Sequence, residues 1–269
     1  MKTRKMDYHV HTLFSYDGEQ SVDEMCRRML DLGVEEVCLT EHLDLGHPDE
    51  ECQGIPAWDI WEREIRYCSQ KYPMLKIRRG IEVGDKAECR EEIKKYVTDY
   101  AWDYILLSLH LVDNVDPYNK DVFFQGKDRK ACYARYLETI ADTVTHYDDF
   151  DTLAHIGYIS RYAPWSDEEK PVRYEDHSDA VDCILKSLIE RGKCLEINTK
   201  GYSEDTFVPD DSIIRRYLAL GGELFTFGSD GHTTIQDYHL METAKARVRE
   251  LGGKYQVAFH GRKPEIYLI

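Results

Sequence analysis

Residues 6–33, MDYHVHTLFSYDGEQSVDEMCRRMLDLG, hold one strand–loop–helix unit, and the rest of the chain repeats its pattern. Residues 6–11 read as a strand. Ser21-Val22-Asp23-Glu24 then sets Ser and Glu at the spacing of a capping box, where each side chain satisfies a backbone N–H of the other. Apolar residues at Val22, Met25, Cys26, Met29 and Leu30 recur at helical spacing, and Gly33 supplies a stop. Six more short apolar stretches, 36–40, 77–83, 104–109, 152–155, 194–198 and 224–228, read as strands. Between them lie helical patterns at 58–71, 86–98, 129–146, 174–191, 211–220 and 236–251. Seven strand–helix units in one chain of this length predict a parallel α/β protein closed into a barrel, with an open doubly wound sheet as the alternative. Alternating apolar residues around Gly261-Arg262-Lys263-Pro264 predict a terminal hairpin over 255–269.

Composition narrows the class. The chain has 269 residues, 42% of them hydrophobic, and no Pro/Gly/Ser-rich linker divides it, so residues 1–269 read as a single domain. A formal charge of −16 argues against nucleic acid as a partner, because neutralising phosphates needs clustered Lys and Arg. A small phosphorylated substrate stays open, since bound divalent ions reverse the local sign. The eight cysteines form no CxxC pair, and no apolar run reaches spanning length, so they read as reduced thiols of a cytoplasmic protein with no membrane partner.

The polar residues fall where strands finish. His9 and His11 close strand one, Glu41-His42 strand two, Glu82 strand three, His110 strand four and His155 strand five, while Asp230 and His232 follow strand seven. In a parallel barrel these ends share the face where catalytic groups lie. Strand alternation sets His9 and His11 on one side, and Asp230 and His232 likewise. Imidazole and carboxylate donors together suit zinc, iron or manganese, and a carboxylate such as Glu82 can bridge two ions. Singly, each has a plainer reading. A lone His packs in a core, Asp17 of Ser15-Tyr16-Asp17-Gly18 shapes a turn, and an HxH pair is common. A metal centre accounts for the set. His47, His146, His177, His239 and His260 lie off the strand ends and read as surface or helix-packing residues.

Taken in order, His9-Val10-His11, Asp17, Thr40-Glu41-His42, Gly80-Ile81-Glu82, Ser108-Leu109-His110, Ala154-His155-Ile156-Gly157 and Gly228-Ser229-Asp230-Gly231-His232 resemble the polymerase and histidinol phosphatase (PHP) superfamily over residues 7–232. Within it the chain is most similar to the histidinol-phosphate phosphatases. The length, the segment after Leu111, Arg161, Glu196-Ile197-Asn198-Thr199 and the Gly-Arg-Lys-Pro tail carry that narrower likeness.

The resemblance implies a distorted (β/α)7 barrel, TIM-like, with three divalent ions at its C-terminal face. It implies His9, His11, Glu82 and Asp230 on the first ion, Glu82 bridging to a second with His110 and His155, and Asp17, His42 and His232 on a third. On that reading His232 parts from His9, His11 and Asp230. It also implies hydrolysis of L-histidinol phosphate, a histidine-biosynthesis step, by a hydroxide held between ions, with Glu82, Asp230, His232 and Arg161 in the catalytic set. Ions that bind phosphate oxygens remove the repulsion between a phosphate dianion and an anionic nucleophile, which makes such a centre suited to monoester hydrolysis. Arg161, Lys200 and His42 are the expected substrate contacts, Arg161 as a forked phosphate donor. A surface ion pair is the alternative for Arg161, and simple exposure for Lys200. Glu41 either orients a neighbouring imidazole or faces outward. The alternatives in function are a phosphatase for another small ester, a 3′ exonuclease, or a metal-binding regulator.

Overall fold

The computed structural model describes residues 2–234 and 239–269. Seven parallel strands, β1 (Met6–Val10), β2 (Glu36–Leu43), β3 (Lys76–Gly84), β4 (Tyr104–Ser108), β5 (Thr152–Leu153), β6 (Cys194–Asn198) and β7 (Leu224–Gly228), pair in sequence order. Around them run α1 (Val22–Asp31), α2 (Trp58–Lys71), α3 (Arg90–Asp99), α4 (Lys120–Phe123), α5 (Arg129–His146), α6 (Ser178–Glu190), α7 (Asp211–Ala219) and α8 (His239–Glu250). Just past β7 the chain returns to β1. The Asp230 N–H donates to the His9 carbonyl at 2.8 Å, and the His11 N–H to the Gly231 carbonyl at 2.9 Å, which joins the first strand to the last. At its other end β7 pairs with β8 (Tyr255–His260), which forms an antiparallel hairpin with β9 (Lys263–Leu268). The sheet therefore forks at β7, and that fork is the distortion of the barrel. Gly261 and Arg262, at φ 53° and 64°, make the two-residue hairpin loop, whose left-handed turn matches the strand twist.

Alternation along the strands sorts the core into two. Val37, Leu39, Ile81, Val83, Ile105, Leu107, Leu195, Ile197, Phe225 and Phe227 point outward and pack under the helices with Trp58 and Trp61 of α2. Tyr8, Cys38, Tyr104, Leu106, Cys194 and, from β8, Phe259 fill the barrel interior. One step farther along the same inward rows stand His42, Glu82, Ser108, Glu196 and Asn198. Strand β1 departs from strict alternation. Asp7 pairs with Val37 and Val10 with Leu39, so β1 spends three residues where β2 spends two. This bulge turns both Tyr8 and His9 inward and carries His11 to the mouth.

The expected capping box is present at α1, where the Glu24 N–H donates to Ser21 Oγ and the Ser21 N–H to Glu24 Oε2. Three expectations change. β5 is only two residues, because Ala154 leaves strand geometry even as its N–H bonds to the Leu107 carbonyl. β2 runs on to Leu43, so Glu41 and His42 lie within the strand. The 86–98 and 174–191 helices each open on a separate 3-10 turn, Ala87–Cys89 and Tyr174–Asp176. The expected start of the last helix, 236–238, lies outside the described residues. No helix among the described residues is long and apolar enough to cross a membrane.

Candidate metal centre

At the C-terminal mouth the nine expected ligands come together, with five of the imidazoles around Glu82. Its carboxylate is 1% exposed. Oε2 lies 3.3 Å from His9 Nε2, 3.3 Å from His11 Nε2 and 3.0 Å from His42 Nδ1. Oε1 lies 3.0 Å from His155 Nε2 and 3.3 Å from His110 Nε2, and accepts the Ser108 hydroxyl at 2.5 Å. Asp230 Oδ1 stands 3.7 Å from both His9 and His11 Nε2. Asp17 reaches across the mouth, 3.0 Å from His232 Nε2 and 3.5 Å from His42 Nε2. Donor atoms fall within 4.8 Å of one another in four sets: His9, His11 and Asp230; His9, Glu82 and His155; His42, Glu82 and His110; His11, His42 and His232.

Local chemistry builds this convergence. Asp230 sits at φ 54°, a left-handed conformation that Asp tolerates better than most residues. Gly228 lets the seam close, since a methyl there would lie 2.3 Å from His9 Cβ and 2.6 Å from Glu196 Oε1. Behind the imidazoles stand acceptors that fix their orientation. Glu196 Oε1 takes the His9 Nδ1 proton at 2.6 Å, and its other oxygen takes the His155 backbone N–H at 2.7 Å. Glu41 accepts from Thr12, Trp61 and the Ser15 hydroxyl, and that hydroxyl in turn faces His11 Nδ1 at 3.1 Å. Glu41 thus orients the His11 imidazole through Ser15 and does not face outward.

Among these groups the carboxylates favour the protonated form of His9, His42 and His110, while burial disfavours it. Burial opposes ionisation of Glu82, yet His9, His42 and His110 hold its carboxyl well below the usual range. Burial opposes charging of His9 too, but Glu196, Glu82 and Asp230 raise it well above an ordinary histidine. His11 goes the other way, lowered by burial and by the neighbouring His42 and His232. The His9 and His11 Nε2 atoms face each other at 3.0 Å, so at most one proton lies between them. Glu82 Oε2, His42 Nδ1 and Asp44 Oδ2 are buried without a hydrogen-bond partner. Lone pairs that converge without protons between them are what divalent ions satisfy, so the donor set fits metal.

Around the centre, Arg161 is nearly buried. Its Nη1 meets Asp230 Oδ2 at 2.9 Å, Nη2 donates to Asn198 Oδ1 at 2.8 Å, and Nε donates to the Lys200 carbonyl at 2.8 Å. A surface ion pair is thereby excluded. Lys200 Nζ, partly exposed, stands 3.2 Å from His232 Nδ1 and 3.5 Å from Asp230 Oδ1. His47, expected at the surface or in helix packing, is instead 5% exposed at the mouth, 3.5 Å from Asp116 Oδ2. It lies in an irregular loop whose burial no periodicity announces. His146 and His260 are exposed as expected, His177 packs against Tyr133, and the side chain of His239 lies outside the described residues. The sequence reading missed Asp44, Ser15 and Asp116 as parts of the site, and gave Glu196 and Asn198 no role there. Asp44 and Glu196 carry a usable signal, for each stands two residues from another inward-facing polar residue.

Comparison with known proteins agrees with this geometry. Residues 7–200 match the PHP domain family. A probable histidinol-phosphatase of Clostridium acetobutylicum is 34% identical over 84% of this chain and 86% of its own. The histidinol-phosphatase of Lactococcus lactis is 26% identical over 97% of this chain and 96% of its own. The crystal structure of the histidinol phosphate phosphatase from that organism, complexed with zinc, L-histidinol and phosphate, superposes with a TM-score of 0.90 at 25% identity. That superposition covers 98% of this chain and 100% of the other.

Proposed function

From the premise that this chain belongs to the PHP domain family, we propose that it is a metal-dependent phosphomonoesterase that hydrolyses L-histidinol phosphate to L-histidinol and phosphate. The observation that carries the reading is Glu82, one buried carboxylate facing five imidazoles with an oxygen that no hydrogen bond satisfies. We assign His9, His11, Glu82 and Asp230 to one ligand set, Glu82, His110 and His155 to a second, and Asp17, His42 and His232 to a third. The His9, His11 and Asp230 donors group together, the second and third sets rest on pairwise distances to Glu82 and Asp17, and the donor atoms also group His42 with Glu82 and His110 and His11 with His42 and His232. Zinc is bound in the Lactococcus relative. The oxygen donor of Asp17 suits manganese or iron at the third position. Divalent ions, when bound, neutralise the phosphate dianion and supply a nucleophile from water near neutral pH.

The chain's own residues do the rest. Arg161 has three of its five N–H donors engaged, which leaves two for phosphate oxygens, and its bonds to Asp230, Asn198 and Lys200 hold the fork in place. Lys200 adds a second cation on that side. Across the mouth Asp116 accepts from the Tyr158 hydroxyl at 3.0 Å and the Tyr118 N–H at 2.8 Å, with no lysine or arginine beside it among the described residues. A leaving group bearing an ammonium and an imidazole suits that wall better than a neutral sugar. The acidic surface favours a small cytoplasmic substrate over nucleic acid.

Metal-loaded protein offered L-histidinol phosphate, a panel of other monoesters and single-stranded DNA tests the assignment. Turnover of L-histidinol phosphate well above the other esters is expected. Comparable rates across unrelated monoesters would sink the substrate, and DNA degradation without monoester turnover would replace the activity.

A further inference from the structure

Asp44 follows β2, two residues past His42, so both side chains turn toward the mouth. It is 5% exposed and pairs with no lysine or arginine among the described residues. Its carboxylate faces two imidazoles. Oδ1 accepts the His110 Nδ1 proton at 2.8 Å, while Oδ2 lies 3.3 Å from His42 Nδ1, which also stands 3.0 Å from Glu82 Oε2, and none of Asp44 Oδ2, His42 Nδ1 and Glu82 Oε2 has a hydrogen-bond partner. The opposite ring nitrogens look into the cluster: His110 Nε2 lies 3.3 Å from Glu82 Oε1 and His42 Nε2 3.5 Å from Asp17 Oδ1.

Gly84, the last residue of β3, makes room for this arrangement. A methyl built there would fall 1.9 Å from Asp44 Oδ1 and 3.4 Å from His110 Nδ1. The gap beside Asp44, Gly84 and His110 has no space for a water molecule, so no water stands between the carboxylate and the ring. An imidazole that ligates through Nε2 needs its Nδ1–H held by an acceptor, or the ring flips or changes tautomer. Asp44 does this for His110, and with Glu82 held by an ion it is the carboxylate left to do it for His42. On the ligand sets assigned above, those rings serve different ions.

We propose that Asp44 is a positioning residue that holds His42 and His110 with Nε2 toward the centre and thereby ties the loading of the second and third ions together. This rests on the three-ion reading. The first ion, held by His9, His11, Glu82 and Asp230, has its own orienting acceptors in Glu196 and Ser15 and does not depend on Asp44.

Three variants test it by metal content per chain after equilibration against graded chelator, with imidazole NMR of Nδ1–H as a second readout. Asp44→Ala should weaken the second and third ions together by about 10- to 100-fold, leave the first at wild-type affinity, and erase the His42 and His110 Nδ1–H signals. Gly84→Ala, which displaces the carboxylate without removing it, should follow the same pattern. Asp44→Asn offers one acceptor and one donor, so it should weaken one ion only. Asp44→Ala protein that is folded by circular dichroism and keeps every ion at wild-type affinity, or loses a single ion, overturns the coupling. Parallel loss of all ions with a lowered melting temperature would assign Asp44 a merely structural role. Wild-type protein that binds fewer than three ions would instead break the ligand-set reading, and the coupling would fall with it.

Discussion

The mouth and the base of the barrel are both crowded with carboxylates, but they are balanced in opposite ways. At the base Glu36, fully buried, accepts from Tyr8 Oη and Arg78 Nε on one oxygen and from Arg4 Nη1 on the other. Asp151 takes the Ile105 N–H and Arg262 Nε through one oxygen, and Asp103 takes the Arg79 and Gly261 N–H groups. Arginine brings a permanent charge and several donors, so such a network is complete without outside help. At the mouth Asp230 meets Arg161 and Lys200, but the groups that face Glu82 and Asp44 are imidazoles, which offer lone pairs as readily as protons. Glu82 Oε2 and Asp44 Oδ2 are left without a donor. The choice of Arg or His opposite a buried carboxylate thus separates an end that stabilises the fold from an end that waits for a ligand.

The strongest way to test that contrast is at Glu82. Glu82→Ala should lower kcat for L-histidinol phosphate by at least about 10³-fold and reduce bound metal, with the protein still folded by circular dichroism. Retained metal and turnover would show that the mouth does not depend on its central carboxylate. Next is Arg161→Lys, which keeps the charge and loses the fork. We expect kcat/KM to fall by about 10²-fold at unchanged metal content, read by steady-state kinetics beside metal analysis. The base should respond in stability alone. Glu36→Gln leaves the guanidinium groups of Arg4 and Arg78 without their buried anion and should cost about 3 kcal/mol in urea unfolding, with kcat/KM of the folded protein unchanged. Changed substrate kinetics in that variant would erase the distinction between the two ends.

The smallest effect lies outside the barrel, on the helical layer. Arg216, with Lys186, holds the Asp182 carboxyl down at about 2. A depressed folded-state value means the stabilisation is present above the unfolded Asp value of about 3.9 and is lost as pH falls toward 2. Unfolding midpoints measured from pH 5 down to pH 2 should fall less steeply in Asp182→Asn than in wild type. An identical slope would show that the part-buried pair is screened to insignificance.

Much of this was legible in the chain because both ends of the barrel obey alternation. β6 and β7 fall on the expected residues, as do α2 and α5. The inward rows carry Glu82 and His42 to the mouth as the strand pattern says they should. The single irregularity on the way, the β1 bulge, left no sequence mark because it keeps His9 and His11 on one side and shifts only their relation to Tyr8. What stayed hidden depends on approach between distant segments. Asp44 is an ordinary loop acid until Gly84 is seen to clear its space, and Asp116 and His47 meet only because two irregular loops fold over the same rim. Arg161 was found by position, but its partner Asn198 needed three-dimensional proximity.

The seam between β1 and β7 also has a meaning in time. Ser229 and His9 are 220 residues apart in the chain. On a ribosome adding roughly 5–20 residues per second, His9 and His11 leave the tunnel on the order of 10–45 s before Asp230 can reach them. Through that interval an exposed His-x-His pair is available to any metal in the surroundings, and the proposed first and third ligand sets stay incomplete until Asp230 and His232 emerge. The hydrogen bonds that join the first strand to the last are made by His9, His11, Asp230 and Gly231, so closing the seam and completing the proposed first ligand set are one event.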